Sequence, residues 1–360
     1  MKYRNKLIGL LIISCIPLFL GTSCDVNEKK KKIIIIEEEE YPGNTSYQEL
    51  GLLRLSEYGF FETPLKALIP QANVFPYEMN TPLFTDYALK KRFIYIPKGK
   101  VAKYVDKEVL DFPIGSVLIK NFYYDDQQLS NQNERIIETR LLIHEEAGWK
   151  ALPYIWNEEQ SDAILEITGG EQEVSLADQG TFSYSIPNMA QCKSCHELNG
   201  NIAPIGPTAR QLNKEVQGKN QLLKLYEAQV LEGLPDINNV PKLAVWNDDN
   251  SSPLNKRARA YLEINCGHCH RPGGPGKNSG LDLTIYSPSD HSLGIFKGPV
   301  AAGAGSGGLK FDIVPGNPDA SILAYRMESM DPGVMMPELG RKLIHTEGIA
   351  LIKQWIKSMN

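Results

Sequence analysis

A five-residue pattern, Cys-x-x-Cys-His, occurs twice in this 360-residue chain, at Cys192-Lys193-Ser194-Cys195-His196 and at Cys266-Gly267-His268-Cys269-His270. Nothing else in the sequence restricts the chain as strongly. Two thiols three residues apart on a helical turn reach the two vinyl groups along one edge of a porphyrin. The histidine that follows then lies beneath the iron and supplies its proximal nitrogen. Each pattern therefore reads as a covalent haem c attachment site, with His196 and His270 as iron ligands and two haem groups in all.

The other cysteines are Cys15 and Cys24, both near the N-terminus, so the four paired thiols leave none for a structural disulfide. Two other readings of paired thiols stand beside haem. A zinc site places its Cys pairs about 15–20 residues apart, whereas these are much further separated and each is followed by His. A thioredoxin-like redox pair needs a preceding strand in a βαβ unit.

The second haem has a candidate sixth ligand. Met335-Met336-Pro337 follows Pro332-Gly333 and precedes the last helical stretch. Pro337 favours an extended Met336, which suits a ligand carried on a loop. Met336 is the expected ligand and Met335 the alternative; both could also be core methionines that fill gaps. The first haem has no Met, His or Cys between Glu197 and Asn265. Met79, His144 or a residue from the C-terminal part could cross to it, Met189 stands too near Cys192, or the iron is five-coordinate.

The N-terminus reads as an export signal. Lys2, Arg4 and Lys6 precede an apolar stretch from Leu7 to Leu20, then Gly21-Thr22-Ser23-Cys24. Small residues before a cysteine suggest a lipoprotein signal over 1–24 with lipidation at Cys24; plain secretion and an uncleaved anchor are the alternatives. Residues 25–45 contain runs of Lys, Ile and Glu and read as a low-complexity tether. Location at the cell envelope follows, lipid-anchored at the periplasmic or outer-membrane surface. The net charge of −5, without a basic stripe beyond the tether, speaks against nucleic acid. Gly303 to Gly308 fits G-x-G-x-x-G, but no strand precedes it and Pro315 ends any following helix, so a nicotinamide cofactor is not expected. Asp125-Asp126 and Asp248-Asp249 lack calcium-loop spacing and read as turn residues.

The expected fold is a multidomain α+β chain. A helix is expected over Tyr47–Glu57, then a β-rich, sandwich-like domain over 46–187. Its strands are read at Phe93–Ile96, Val117–Tyr124, Ile136–Ile143, Lys150–Trp156, Ile164–Thr168 and Phe182–Ile186. A first haem segment (188–250) and a cytochrome c-like domain with the second haem (251–360) follow, both mostly α-helical. Their helices are read at Asn220–Glu232, Asn255–Ile264 and Asp319–Met330, and Thr346 is expected to N-cap the last. The Gly- and Pro-rich stretch 271–318 reads as loop.

Several segments make the chain resemble a bacterial family of di-haem c-type cytochromes, often predicted lipoproteins, whose cytochrome part is similar to modules associated with quinoprotein sugar dehydrogenases. They are Pro82-Leu83-Phe84-Thr85-Asp86, Glu138-Thr139-Arg140-Leu141-Leu142, Gly148-Trp149, Tyr154-Ile155-Trp156-Asn157, Gln211-Leu212-Asn213, Met336-Pro337-Glu338-Leu339-Gly340 and both haem motifs. The likeness covers about residues 47–360. It implies haem binding and electron transfer, and it supports Met336. The expected function is relay of electrons between a dehydrogenase or quinol donor and a downstream acceptor, with redox proteins as partners. The alternative is a di-haem peroxidase-like enzyme with an open first iron.

Overall fold

The computed structural model describes residues 50–130, 133–300 and 302–360. The expected signal segment, Cys24 and the tether lie outside these residues, as does the first part of the helix expected at Tyr47–Glu57. What is described of that stretch includes a 3-10 turn at Leu55–Tyr58, closed by Gly59 in the left-handed region.

Six strands form one antiparallel meander: β1 (Val74–Tyr77), β2 (Leu89–Tyr95), β3 (Val117–Tyr124), β4 (Arg135–Glu145), β5 (Gly148–Trp156) and β6 (Ala163–Leu165). β7 (Gly170–Leu176) and β8 (Gly180–Ile186) pair separately as a hairpin. Because side chains alternate across a strand, the meander has two distinct faces. One carries Phe93, Ile119, Leu141, Leu152 and Tyr154, covered by Leu55, Phe60, Phe61, Leu65 and Leu68 from the segment before β1. Each such fully buried side chain contributes roughly 1.5–3 kcal/mol.

The other face is divided. At one end Ile94, Leu118 and Leu142 pack under Leu212, Leu222 and Leu225. At the other, Phe122 and Tyr124 pack with Val174, Leu176, Tyr184 and Ile186 of the hairpin. A bulge between Phe122 and Tyr123 inserts Ile137 into the β4 ladder. The extra residue lets Ile136 join the first core while its neighbour Ile137 joins the hairpin core.

The expected fold class does not hold. There is one large sheet rather than a sandwich: irregular and short helical segments cover one face and one end of the other, and the strands packed against the remaining end are the two of the hairpin. Nor do mostly α-helical cytochrome domains follow it. After residue 188 the chain has α1 (Met189–His196), α2 (Gln221–Glu227), α3 (Leu254–Asn265), α4 (Ile322–Glu328) and α5 (Thr346–Lys357), none longer than 12 residues. Loops, single helical turns and two-residue ribbons join them. Prolines at 204, 207, 235, 241 and 253 and the glycines of 271–318 interrupt helix propagation. The helix expected at Asn220–Glu232 stops at Glu227, and Leu231–Glu232 instead pairs in parallel with Ala102–Lys103. Thr346 lies inside α5, and His345 stands before it without a side-chain cap.

The described residues belong to one compact unit. In its C-terminal part α3 packs on α5 through Ala258, Tyr261, Leu262, Ile349, Ile352 and Trp355. Among the described residues no helix is long and apolar enough to cross a membrane.

Candidate haem-attachment site

The first motif lies on α1. Asn188 and Gln191 form a capping box, each side chain accepting from the other's backbone N–H, so the helix begins cleanly after Pro187. It ends on His196, whose Nδ1 lies 2.9 Å from the carbonyl oxygen of Ala203. A carbonyl only accepts, so Nδ1 carries the proton and Nε2 keeps its lone pair.

The second motif leaves the end of α3. His270 N–H donates to the Cys266 carbonyl at 2.9 Å, which turns the chain back on itself. Nδ1 of His270 lies 3.0 Å from Ser279 Oγ, and that hydroxyl donates its only proton to the Gly276 carbonyl at 2.7 Å. Ser279 must therefore accept from Nδ1–H, and Nε2 of His270 is also left as a lone-pair donor. Burial holds both imidazoles neutral, His196 down to about 3 and His270 to about 4. Two motifs in different local structures thus reach the same tautomer, the one that outer-shell partners fix in metal-ligating histidines.

The fold brings the motifs together. Asn199 N–H donates to the Gly273 carbonyl at 2.8 Å. Arg210, on the helical turn Ala209–Leu212, forms a buried ion pair with Glu263 of α3, and Glu263 also accepts from Ile285 N–H at 2.7 Å. Arg271 pairs with Glu108 at 2.7 Å. As a result one ligand atom each of Cys195, His268 and Cys269 lies within 4.8 Å of the others. Within that group the Cys269 thiol holds Cys195 low, to about 4, while Cys269 itself is pushed up. Burial pushes Cys266 up to about 12 and raises Cys192. A cleft of about 170 Å³ opens beside His196, bordered by Ile205, Arg210, Glu263 and His268.

Met335 and Met336 are both half-buried on the loop between α4 and α5. Arg326 shapes that loop: its Nε donates to the Val334 carbonyl at 2.8 Å, and its carbonyl accepts from Met336 N–H at 3.0 Å. The charge of Arg326 acts on His270, and that of Glu338 on Cys269, so the loop faces the second motif. Met79 is buried, with its Sδ and Cε against Gly206, on the segment that follows His196. His144 stacks on Trp149 at 4.5 Å and bonds the Phe112 carbonyl through Nδ1, a packing role. Met189 packs against the first sheet core. Asp125 and Asp248 accept from Gln128 and Asn250 N–H, as turn residues do.

Sequence reasoning missed three features. His268 joins the cysteine group, although it occupies a variable position of its motif. Asp86 Oδ1 accepts from Lys342 and Leu343 N–H, both at 2.7 Å, and Phe84 stacks on His345 at 4.1 Å. The segment Pro82–Asp86 thereby fastens the sheet to the chain just beyond Met336. Asp86 and Tyr87 also hold left-handed backbone, at φ 45° and 60°, uncommon for side-chain-bearing residues. Last, Arg92, Lys120 and Arg140 stand directly opposite one another across β2, β3 and β4, close to α1. Basic residues at positions where the strand alternation points inward were the available signal for this row. Comparison of the chain with protein-family models, with curated proteins and with solved structures finds no match to any of them.

Proposed function

We propose that this protein is a di-haem c-type cytochrome that transfers electrons at the cell envelope. The observation that carries this reading is the pair of histidines: each follows two thiols at the required spacing, and each has Nδ1 committed to an internal acceptor and Nε2 left for iron. The donor set fits the cofactor. Cys192 and Cys195 would hold one haem and Cys266 and Cys269 the other, with Met336 as the sixth ligand of the second iron. A haem at each motif supplies a one-electron iron couple.

The chain contributes the rest. Ala203 and Ser279 hold the two imidazoles in the ligating tautomer. The Arg210–Glu263 pair and the Asn199–Gly273 bond keep the motifs side by side, so a charge entering at one has a short path to the other. The cleft beside His196 is smaller than the 300–1,000 Å³ of ordinary ligand pockets. Seating a macrocycle on each motif therefore requires Cys195, His268 and Cys269 to separate. Export through residues 1–24, a lipid on Cys24, and a redox protein as donor and another as acceptor belong to the same proposal.

The Cys195, His268 and Cys269 group favours a second reading, a thiophilic metal ion gripped between the motifs. It supplies three ligands where structural zinc takes four. Haem staining on a denaturing gel, with the haem quantified as its pyridine complex, separates the two. Two covalent haems per chain is the expected result. Four thiols that stay free or hold zinc in exported protein would overturn the cytochrome reading.

A further inference from the structure

The divided face of the meander carries an unbalanced charge. Between its two apolar clusters runs the cross-strand row Tyr77, Arg92, Lys120, Arg140, Pro153, with Lys90, Phe122, Glu138 and Ile155 as the next row. Like charges directly opposite one another in a sheet are destabilising, yet three cations stand side by side here and Lys90 lies one row away. Glu138 is the carboxylate of these two rows, and its oxygens are already taken by Arg140 and by the Tyr184 hydroxyl at 2.7 Å. Among the described residues no carboxylate lies within ion-pair distance of Lys90, Arg92 or Lys120. All three are half-buried. Burial, then the charges of Arg140 and Arg92, holds the Lys120 ammonium down to about 7.

The row borders the first motif. Lys120 and Arg140 act on both Cys192 and His196. The second motif differs: there the buried Lys297 already has its carboxylate, Asp312 at 3.2 Å. A haem brings two propionate carboxylates, the kind of anion the first site lacks. Resting on the cytochrome reading above, we propose that Arg92 and Lys120, supported by Lys90, bind the propionates of the haem held by Cys192 and Cys195. The sheet is then one wall of the first haem site.

The test is a redox titration of the full-length holoprotein, with the second haem identified by its loss in the Cys266→Ser/Cys269→Ser variant. Positive charge beside the iron favours the ferrous state. In Lys120→Met and Arg92→Gln the oxidised-to-reduced ratio of the first haem at fixed ambient potential should rise about tenfold, a fall of about 59 mV for one electron. The second haem should not move, and the propionate bending mode in the resonance Raman spectrum should shift. Lys120→Arg keeps the charge and should leave the first potential closer to the wild-type value than Lys120→Met does. Lys91→Gln, which lies beside Arg92 on β2 but points to the opposite face, should behave as wild type. An unchanged Raman mode, an unchanged first potential, or an equal shift at both haems overturns the proposal. Where a neutral variant matures without its first haem, restored attachment in Lys120→Arg or Arg92→Lys supports it, and continued loss overturns it. Wild-type protein without haem would instead sink the cytochrome reading, and haem staining detects that separately.

Discussion

The meander and the two motif segments are stabilised in different ways. In the sheet, a continuous backbone ladder and a buried aromatic and aliphatic face do most of the holding, and every strand pairs with its neighbour in sequence. Around the motifs, short helices and loops are held by single contacts: Asn199 to Gly273, Arg210 to Glu263, Ser279 to His270. The first kind of structure needs only its own chain. The second brings the thiols of Cys195 and Cys269 and the imidazole of His268 within 4.8 Å of one another, groups that a folded chain gains little from bringing together unless something binds them. On the proposed di-haem reading, the sheet is the scaffold and the motif segments take their final stability from the haems.

The largest effect should come from replacing all four motif cysteines by serine. Backbone amides of β3, β4 and β5 should keep their protection from hydrogen exchange, while α3 and the loop 331–345 lose most of theirs. Equal loss in both regions would mean that the sheet depends on the cofactor as well and would end the distinction. Next is the contact that couples the motif segments. Arg210 and Glu263 are both buried, so Arg210→Ala leaves a buried carboxylate without its partner and should cost about 3–5 kcal/mol in denaturant unfolding. A loss below about 1 kcal/mol would show that the pair is not what joins the segments.

The junction between scaffold and motif segments should be sensitive to acid. Burial against Phe84 holds His345 down to about 4, from 6.5 in the unfolded chain. Between these values the unfolded chain binds a proton that the folded chain refuses. Stability should therefore fall as the pH drops from 6.5 to 4, by on the order of 3 kcal/mol from this residue. His345→Phe should keep the stacking and remove this residue's share of the slope in that window, leaving the share of the other buried imidazoles, His196 and His270. An unchanged profile would place the acid sensitivity elsewhere.

The same division marks what the sequence made legible. Val117–Tyr124 was read with its true limits, because six of its eight residues are apolar or aromatic and turns flank it. β1 went unread because Pro76 lies within it, and β7 because Gly-Glu-Gln-Glu-Val-Ser-Leu is too polar to suggest a strand. Helical phase over Asn220–Glu232 turns Leu222, Leu223, Tyr226 and Val230 inward, yet Tyr226 is 51 % exposed and Leu225 is buried, because α2 ends at Glu227. At the site, the spacing of each motif was plain. Their meeting was not, because Cys195 and Cys269 are joined by contacts such as Arg210–Glu263 that carry no local pattern. The cation row was hidden for a related reason: Arg92, Lys120 and Arg140 become neighbours only through strand register.

One residue tests the helical part of the motif region without touching any sulfur or imidazole of the motifs. Gly348 lies in the first turn of α5, and a Cβ there would stand 2.3 Å from the Tyr261 hydroxyl and 2.4 Å from its ring carbon Cζ. Its φ is not in the left-handed region, so backbone freedom is not the reason for glycine. The reason is the close approach of α3 to α5, and α3 leads directly into Cys266. Gly348→Ala should force the tyrosine or the helix aside at a cost of about 1–3 kcal/mol. In the proposed di-haem holoprotein it should also disturb the ligation spectrum of the second haem and leave that of the first unchanged. Tyr261→Leu in the same background should recover part of the stability by removing the ring. If alanine is tolerated without loss, the α3–α5 contact is loose, and the second motif depends on its loops rather than on a packed helix pair.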